Sequence, residues 1–221
     1  MSAAQFRLPD PSHRVTIVGM TGSGKTVYGA WLLSHAPFDQ MPYVMVDYKR
    51  DELLNSIDRV PEIGLNEVPK HPGLYRVHPH PDDADATDAW FRKVWERGSV
   101  GIYIDEGYMA PTKGKGFEGI LTQGRSLHIP AITLTQRPSW VSRFVFSEAD
   151  FHSLFFLNDD RDNATAGAFL PRGAAKREMP EYWSQWYDVK RRALFTMQPA
   201  PHPDEIRERI SSRLKPRHKI F

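Results

Sequence analysis

The chain has 221 residues, with 29 Lys/Arg against 27 Asp/Glu and no cysteine. This length suits one sizeable α/β domain rather than two ordinary domains joined by a linker. Hydrophobic residues make up 40% and charged residues 25%, which excludes a disordered or fibrous chain. The lack of cysteine excludes disulfides, thiolate metal sites and cysteine nucleophiles.

Neither the apolar segments nor the first residues indicate insertion into a membrane or secretion. No apolar run approaches the roughly 18–20 residues that span a bilayer, and residues 1–10 lack the features of a signal peptide. We therefore expect a cytoplasmic protein. Residues 190–221 hold nine Lys/Arg and three Asp/Glu, a local net charge of +6. This segment either meets phosphates or an acidic partner, or is a solvated helical face.

Short, unbroken apolar segments alternate with helical patterns along most of the chain. Strands are predicted at residues 15–19, 43–47, 74–77, 100–104, 131–135 and 151–157. Helices are predicted at residues 26–36, 82–97, 117–127 and 140–146, and another from residue 51. This alternation is typical of a parallel sheet covered by helices on both faces, with ligands at the edge where the strands end.

The C-terminal quarter has a different pattern. Residues 185–189 and 193–197 flank a basic turn and predict a β-hairpin, and residues 204–214 predict a basic helix. We expect a single domain over residues 1–221, with a core over about residues 13–170 and an appendage over about residues 171–221.

A phosphate-binding motif follows the first predicted strand and opens a helix. Residues 19–26 match G-x-x-x-x-G-K-[ST] at every defined position. Glycines let the backbone bend so that successive N–H groups and the helix N-terminus surround the phosphates. Lys25 would bridge the β- and γ-phosphates of ATP, and Thr26 would bind Mg²⁺. We assign nucleotide binding to Gly19, Thr21, Gly22, Ser23, Gly24, Lys25 and Thr26.

Polar residues end two further predicted strands. After residues 100–104, Asp105 is expected to hold Mg²⁺ through water and Glu106 to orient the attacking water, which favours hydrolysis over transfer to a small acceptor. After residues 131–135, Gln136 is expected at the same sheet edge, where it would sense the γ-phosphate. The alternatives are a solvated loop pair and a simple turn residue.

The order of these motifs resembles the FtsK/HerA superfamily of ring-forming P-loop ATPases. The resemblance rests on the P-loop, Asp105-Glu106, Gly124-Arg125 and the phrase Thr135-Gln136-Arg137-Pro138, and it covers about residues 13–140. Val46-Asp47-Tyr48-Lys49 also resembles the acidic and basic pair that these proteins place after their second strand. In size the chain is most similar to the genome-packaging ATPases of membrane-containing icosahedral double-stranded DNA viruses.

The resemblance implies a fold, an activity and partners. The fold would be a three-layer α/β P-loop NTPase of the RecA/FtsK type, with a mainly parallel sheet, a C-terminal hairpin and a basic helix. The activity would be Mg²⁺-dependent ATP hydrolysis coupled to movement of double-stranded DNA, held through its phosphates by a homo-oligomeric ring of five or six subunits. Capsid or portal-vertex proteins would be partners, in the host cytoplasm or at the packaging vertex.

The resemblance also assigns roles to single residues. Arg125 corresponds to an arginine supplied in trans to the neighbouring subunit's nucleotide, with Arg137 and Arg143 as rivals, and Gln136 corresponds to the sensor. Three alternative functions stay open: a plasmid or cellular DNA-transfer ATPase, a P-loop small-molecule kinase, and a nucleotide-gated assembly protein that does not hydrolyse ATP.

Other features have competing interpretations. We expect structural roles for His71, His78 and His80, and core positions for residues 90, 91 and 95. The basic loop at residues 113–116 would either face DNA in a pore or be a plain solvated loop.

Overall fold

A computed structural model of the chain describes residues 5–111 and 114–214. Its strands, in chain order, are β1 (Arg14–Val18), β2 (Pro42–Asp47), β3 (Gly73–Val77), β4 (Gly101–Asp105), β5 (Ala131–Thr135), β6 (Phe151–Leu154), β7 (Ser184–Asp188) and β8 (Ala193–Met197). Over the described residues they form one sheet in the order β3-β2-β4-β5-β1-β6-β7-β8. The pairs from β3 to β6 are parallel, and β7 and β8 are antiparallel to their neighbours.

Helices cover both faces of this sheet. They are α1 (Lys25–Leu33), α2 (Glu52–Asn55), α3 (Ala84–Arg97), α4 (Gly116–Gln123), α5 (Phe144–Ser147), α6 (Asp160–Gly167) and α7 (Pro203–Arg213). Because strand side chains alternate between faces, Ile17 joins the core under α1 and α7 whereas Val18 joins the core under α3 and α4. The predicted three-layer α/β fold is confirmed.

The C-terminal hairpin extends this sheet instead of standing apart from it. Residues of β7 pair with β6 from Phe151↔Asp188 to Leu154↔Gln185, and β8 pairs with β7. Trp186 is fully buried and stacks on Phe151 with ring centroids 5.0 Å apart. The hairpin expected within the appendage is thus part of the central sheet.

Several predicted elements are shorter than expected. The helix predicted at 117–127 ends at Gln123, because the N–H groups of Leu127 and Ile129 both turn back to the Gly124 carbonyl. The helix predicted at 140–146 is replaced by a 3₁₀ turn at Pro138–Trp140 and the single turn α5. The strand predicted at 151–157 ends at Leu154, after which the chain crosses to the P-loop.

Helix α6 was not predicted from the sequence. Its residues are polar and lack helical periodicity, although Asp159 caps the helix by accepting a hydrogen bond from the Asp162 N–H.

The residues expected to have structural roles lie as follows. Among the three histidines, His78 has its Nδ1 3.0 Å from the Asp47 carbonyl oxygen. Trp90 and Phe91 are fully buried, as predicted, whereas Trp95 is only partly buried against the same core.

Some expectations fall outside the described residues. These are Lys113 of the basic loop and residues 215–221 of the basic tail. No helix in the described ranges is long and apolar enough to cross a bilayer. Residues 5–111 and 114–214 also contain no group of three or more His, Cys, Asp or Glu side chains arranged to hold a metal ion.

The buried His152 makes stability depend on pH. It lies in β6 with 5% of its surface exposed, and burial lowers its pKa from 6.5 to about 4. Since the unfolded chain binds the proton first, the free energy of unfolding should fall between pH 6.5 and pH 4, by at most about 3 kcal/mol from this group. In urea denaturation, the free energy of unfolding of His152→Phe should depend less steeply on pH than that of the wild type. His71→Phe, a change at an exposed histidine, should keep the pH dependence of the wild type. Equal slopes in all three proteins would contradict this assignment.

Candidate active site at the carboxyl edge of the sheet

The P-loop is fixed on both sides of β1. The Gly19 N–H donates to the Thr135 carbonyl of β5 at 3.3 Å, and the Met20 N–H donates to the Phe156 carbonyl beyond β6 at 3.0 Å. Gly22 and Gly24 have φ angles of +81° and +90°. These left-handed conformations favour glycine, so the glycine spacing of the motif follows from the shape of the loop.

Glu106 is turned back towards the P-loop by an uncommon backbone conformation. It follows β4 directly and has φ 60° and ψ 58°, the left-handed region that non-glycine residues avoid. Its side chain is 1% exposed, and Lys25 Nζ lies 3.5 Å from Oε1. Such strain is typical of functional positions. The structure therefore joins the two residues that the sequence assigned to phosphate binding and to water activation.

Lys49 contacts the same carboxylate, an interaction that the sequence did not predict. Its Nζ donates to Glu106 Oε1, and its own side chain is 40% exposed. The sequence offered one signal: Lys49 follows β2, which pairs with β4 so that Asp47 lies beside Asp105. Because β2 and β4 are parallel neighbours, the residues that follow them lie close together at the carboxyl edge of the sheet.

Asp105 and Glu106 form a buried pair of carboxylates with unused oxygen atoms. Burial raises the pKa of Asp105 to about 7, the neighbouring Glu106 charge adds to this, and Lys25 opposes it. Among the described residues, Asp105 Oδ1 and Glu106 Oε2 have no hydrogen-bond partner. A buried carboxylate without a partner is unfavourable, and a hard cation with oxygen ligands would stabilise it. Asp105 therefore fits the predicted Mg²⁺ site, and the part assigned to the Thr26 hydroxyl stays a prediction.

Gln136 links the P-loop to the segment after β4. Its Oε1 accepts from the Thr21 hydroxyl, and its Nε2 donates to the Tyr108 hydroxyl at 3.2 Å. A γ-phosphate entering this edge would compete for these side chains. Gln136 thus lies where a sensor is expected, and its role stays a prediction.

The three candidate arginines lie in different places. Arg125 lies before β5, at the end of the sheet where the parallel strands begin. It forms an ion pair with Asp150, and its side chain is 57% exposed. Five residues of β5 span roughly 17 Å, so Arg125 is too distant to act on its own P-loop. Arg137 follows β5 at the nucleotide edge, 3.5 Å from Asp162 and over the Trp140 ring. Arg143 packs on Phe169.

The two left-handed glycines of the P-loop should respond differently to alanine. A Cβ on Gly24 would lie 3.2 Å from the Tyr182 ring, whereas a Cβ on Gly22 would meet nothing within 4 Å. Gly22→Ala should then lower the free energy of unfolding only by the cost of a left-handed backbone, about 1–2 kcal/mol. Gly24→Ala should lower the free energy of unfolding by more. Urea denaturation of both variants measures the difference. Equal losses would show that Tyr182 moves away freely.

Comparison with known proteins agrees with this geometry. The chain is 38% identical over 216 residues to the DNA packaging ATPase P9 of Enterobacteria phage PRD1, a match that covers 93% of this chain and 95% of that protein. No protein-family model matches the chain.

Solved structures share the fold at low sequence identity. One is the genome packaging NTPase B204 from Sulfolobus turreted icosahedral virus 2 in complex with AMPPCP, with a TM-score of 0.70 and 18% identity over 87% of this chain and 100% of that one. Another is the cytoplasmic domain of the type VII secretion ATPase EccC from Thermomonospora curvata, with a TM-score of 0.64 and 11% identity over 93% of this chain and 27% of that one. On the strength of the long match to P9, the chain belongs to the family of this DNA packaging ATPase.

Proposed function

We propose that this protein is the ATP-hydrolysing motor that moves double-stranded DNA into a preformed viral capsid. The observation that carries the proposal is the junction of Lys25 and Glu106, 3.5 Å apart across the carboxyl edge. It joins a triphosphate-binding group to a group able to activate water. The family membership supports DNA as the material moved and an ATPase as the motor.

The two oxygens of Glu106 suggest separate tasks. Oε1 is engaged by Lys25 and Lys49, whereas Oε2 has no partner among the described residues. Oε2 would accept a proton from the attacking water as the water oxygen bonds to the γ-phosphorus and the bond to the bridging oxygen of ADP breaks. Mg²⁺, bound by Thr26 and Asp105, would supply neutralisation of the phosphate charge. Lys25 would hold the β- and γ-phosphates in line.

A ring of identical subunits would complete the site. Arg125 is exposed at the edge opposite its own P-loop, which suits an arginine that acts on a neighbouring subunit. A guanidinium at the γ-phosphate stabilises charge in the transition state, so hydrolysis would depend on assembly. Capsid or portal-vertex proteins and the phosphates of DNA would be the partners. A motor that moves every sequence has no use for base-specific contacts.

Glu106→Gln should separate ATP binding from hydrolysis. The amide keeps the size of the side chain but is a poor proton acceptor, so phosphate release should fall about 100-fold or more while ATP remains bound. Phosphate release and equilibrium ATP binding in the presence of Mg²⁺ measure the two effects. Glu205→Gln, an exposed change on α7, is the matched control. Unchanged turnover in Glu106→Gln would contradict the proposed role.

Mixing two inactive variants should test the trans role of Arg125. Arg125→Ala subunits keep an intact Glu106, and Glu106→Gln subunits keep an intact Arg125, so a mixed ring contains complete sites at some interfaces. Each variant alone should be nearly inactive, and the mixture should recover measurable phosphate release. Asp150→Asn, which weakens the ion pair but keeps the guanidinium, should stay active. Full activity of Arg125→Ala alone would transfer the role to Arg137 or Arg143.

A further inference from the structure

Two lysines share one oxygen of Glu106, and they contact it differently. Lys49 Nζ donates a hydrogen bond to Oε1, whereas Lys25 Nζ lies 3.5 Å from the same atom, beyond the usual range of an N–H···O hydrogen bond. In residues 5–111 and 114–214, these two lysines are the cations within 4 Å of this carboxylate. Lys49 therefore makes the closer contact and Lys25 the looser one.

Bound ATP would remove the looser contact. Lys25 would bridge the β- and γ-phosphates, because a triphosphate carries several negative charges against the single charge of Glu106. The Glu106 carboxylate is 1% exposed, and a buried charge that loses its partner is strongly unfavourable. Lys49 is then the cation that remains beside Oε1.

The turn that carries Lys49 is fixed by Asp47, the last residue of β2. The fully buried Asp47 carboxylate accepts from the Asp51 N–H at 3.2 Å and from Asn55 Nδ2 at 3.1 Å, so it closes the turn that follows the strand. Asp47 also lies opposite Asp105 in the pairing of β2 with β4. The sheet and this turn together hold the backbone of Lys49 beside the end of β4.

A fixed Oε1 restrains the whole side chain of Glu106. A glutamate side chain has several rotatable bonds, so a carboxylate that loses its partners can turn away from the P-loop. A reacting group displaced by about 1 Å can lose on the order of 100-fold in rate. The contact with Lys49 therefore bears on turnover more than on the binding of ATP.

We propose that Lys49 is a positioning residue for hydrolysis: when Lys25 turns to the phosphates, Lys49 keeps hold of Glu106 Oε1 and holds the carboxylate beside the P-loop. Lys49 acts through Glu106 of its own subunit and has no part in binding ATP. The inference rests on the proposed function, because a fixed Glu106 matters for turnover only if this carboxylate activates water.

Removing the charge of Lys49 should slow turnover and leave ATP binding intact. In Lys49→Met, which keeps an unbranched side chain, phosphate release at saturating ATP and Mg²⁺ should fall about 10- to 100-fold. The equilibrium constant for ATP binding should change by no more than about twofold, which also shows that the variant is folded. Lys49→Arg, which keeps a cation, should recover part of the lost rate. Lys70→Met, a change at an exposed lysine before β3, is the matched control.

Three results would overturn this role of Lys49. They are a rate in Lys49→Met equal to or above that of the wild type, a loss of ATP binding as large as the loss of rate, and no difference between Lys49→Arg and Lys49→Met. If Lys49→Met fails to fold, Lys49→Gln replaces it with the same expected rates.

Combination with Glu106→Gln separates this inference from the proposed function. If Lys49 acts through Glu106, adding Lys49→Met to Glu106→Gln should lower single-turnover phosphate release by less than about twofold further. A further loss of about tenfold would overturn the positioning role. Unchanged turnover in Glu106→Gln alone would contradict the proposed function instead. A slow Glu106→Gln beside a fully active Lys49→Met would overturn only the role of Lys49.

Mixed assemblies test whether Lys49 acts within its own subunit. When Lys49→Met and Glu106→Gln subunits are mixed, no subunit holds both Lys49 and Glu106, so phosphate release should not exceed the sum of the two separate rates. The mixture of Arg125→Ala with Glu106→Gln should differ by showing recovery. Recovery with Lys49→Met would show that Lys49 acts on the nucleotide of the neighbouring subunit and would contradict the proposal.

Discussion

The active edge depends on one buried negative charge, the carboxylate of Glu106, being held between two lysines. A buried charge is strongly unfavourable unless it is paired. Lys25 follows β1, Lys49 follows β2 and Glu106 follows β4, so the pairing requires three separate strands to end at the same edge. The sheet order β2-β4-β5-β1 meets that requirement. The left-handed backbone at Glu106 then aims the carboxylate at the P-loop.

The same sheet places different groups on the two sides of the P-loop. On the β4 and β5 side are the groups suited to hydrolysis, with Gln136 tied to both the P-loop and Tyr108. On the β6 and β7 side, Phe155, Phe156 and Leu157 line a cavity beside the P-loop. Arg125 lies at the opposite end of the strands from the P-loop, where it is suited to contact a neighbouring subunit.

Much of this edge could be predicted from the sequence, because phosphate binding fixes both residue types and spacing. Residues 19–26, Asp105, Glu106 and Gln136 lie where their motifs indicated, and their chemical roles stay predictions. Lys49 carries one signal, its place after β2, and that place alone does not reveal its contact with Glu106. Lys49 meets Glu106 only because β2 pairs with β4. Helix periodicity likewise gave the wrong end for α4, because the Gly124 carbonyl accepts hydrogen bonds from the N–H groups of Leu127 and Ile129.

The most direct test of the motor is the rate of phosphate release from ATP and Mg²⁺ over a range of protein concentrations, with and without long double-stranded DNA at low salt. An assembled ring that acts on DNA predicts a rate per subunit that rises cooperatively with protein concentration, increases further with DNA, and loses the DNA stimulation as salt is raised. A rate per subunit that depends on neither protein concentration nor DNA would contradict a DNA-moving ring and indicate a solitary ATPase.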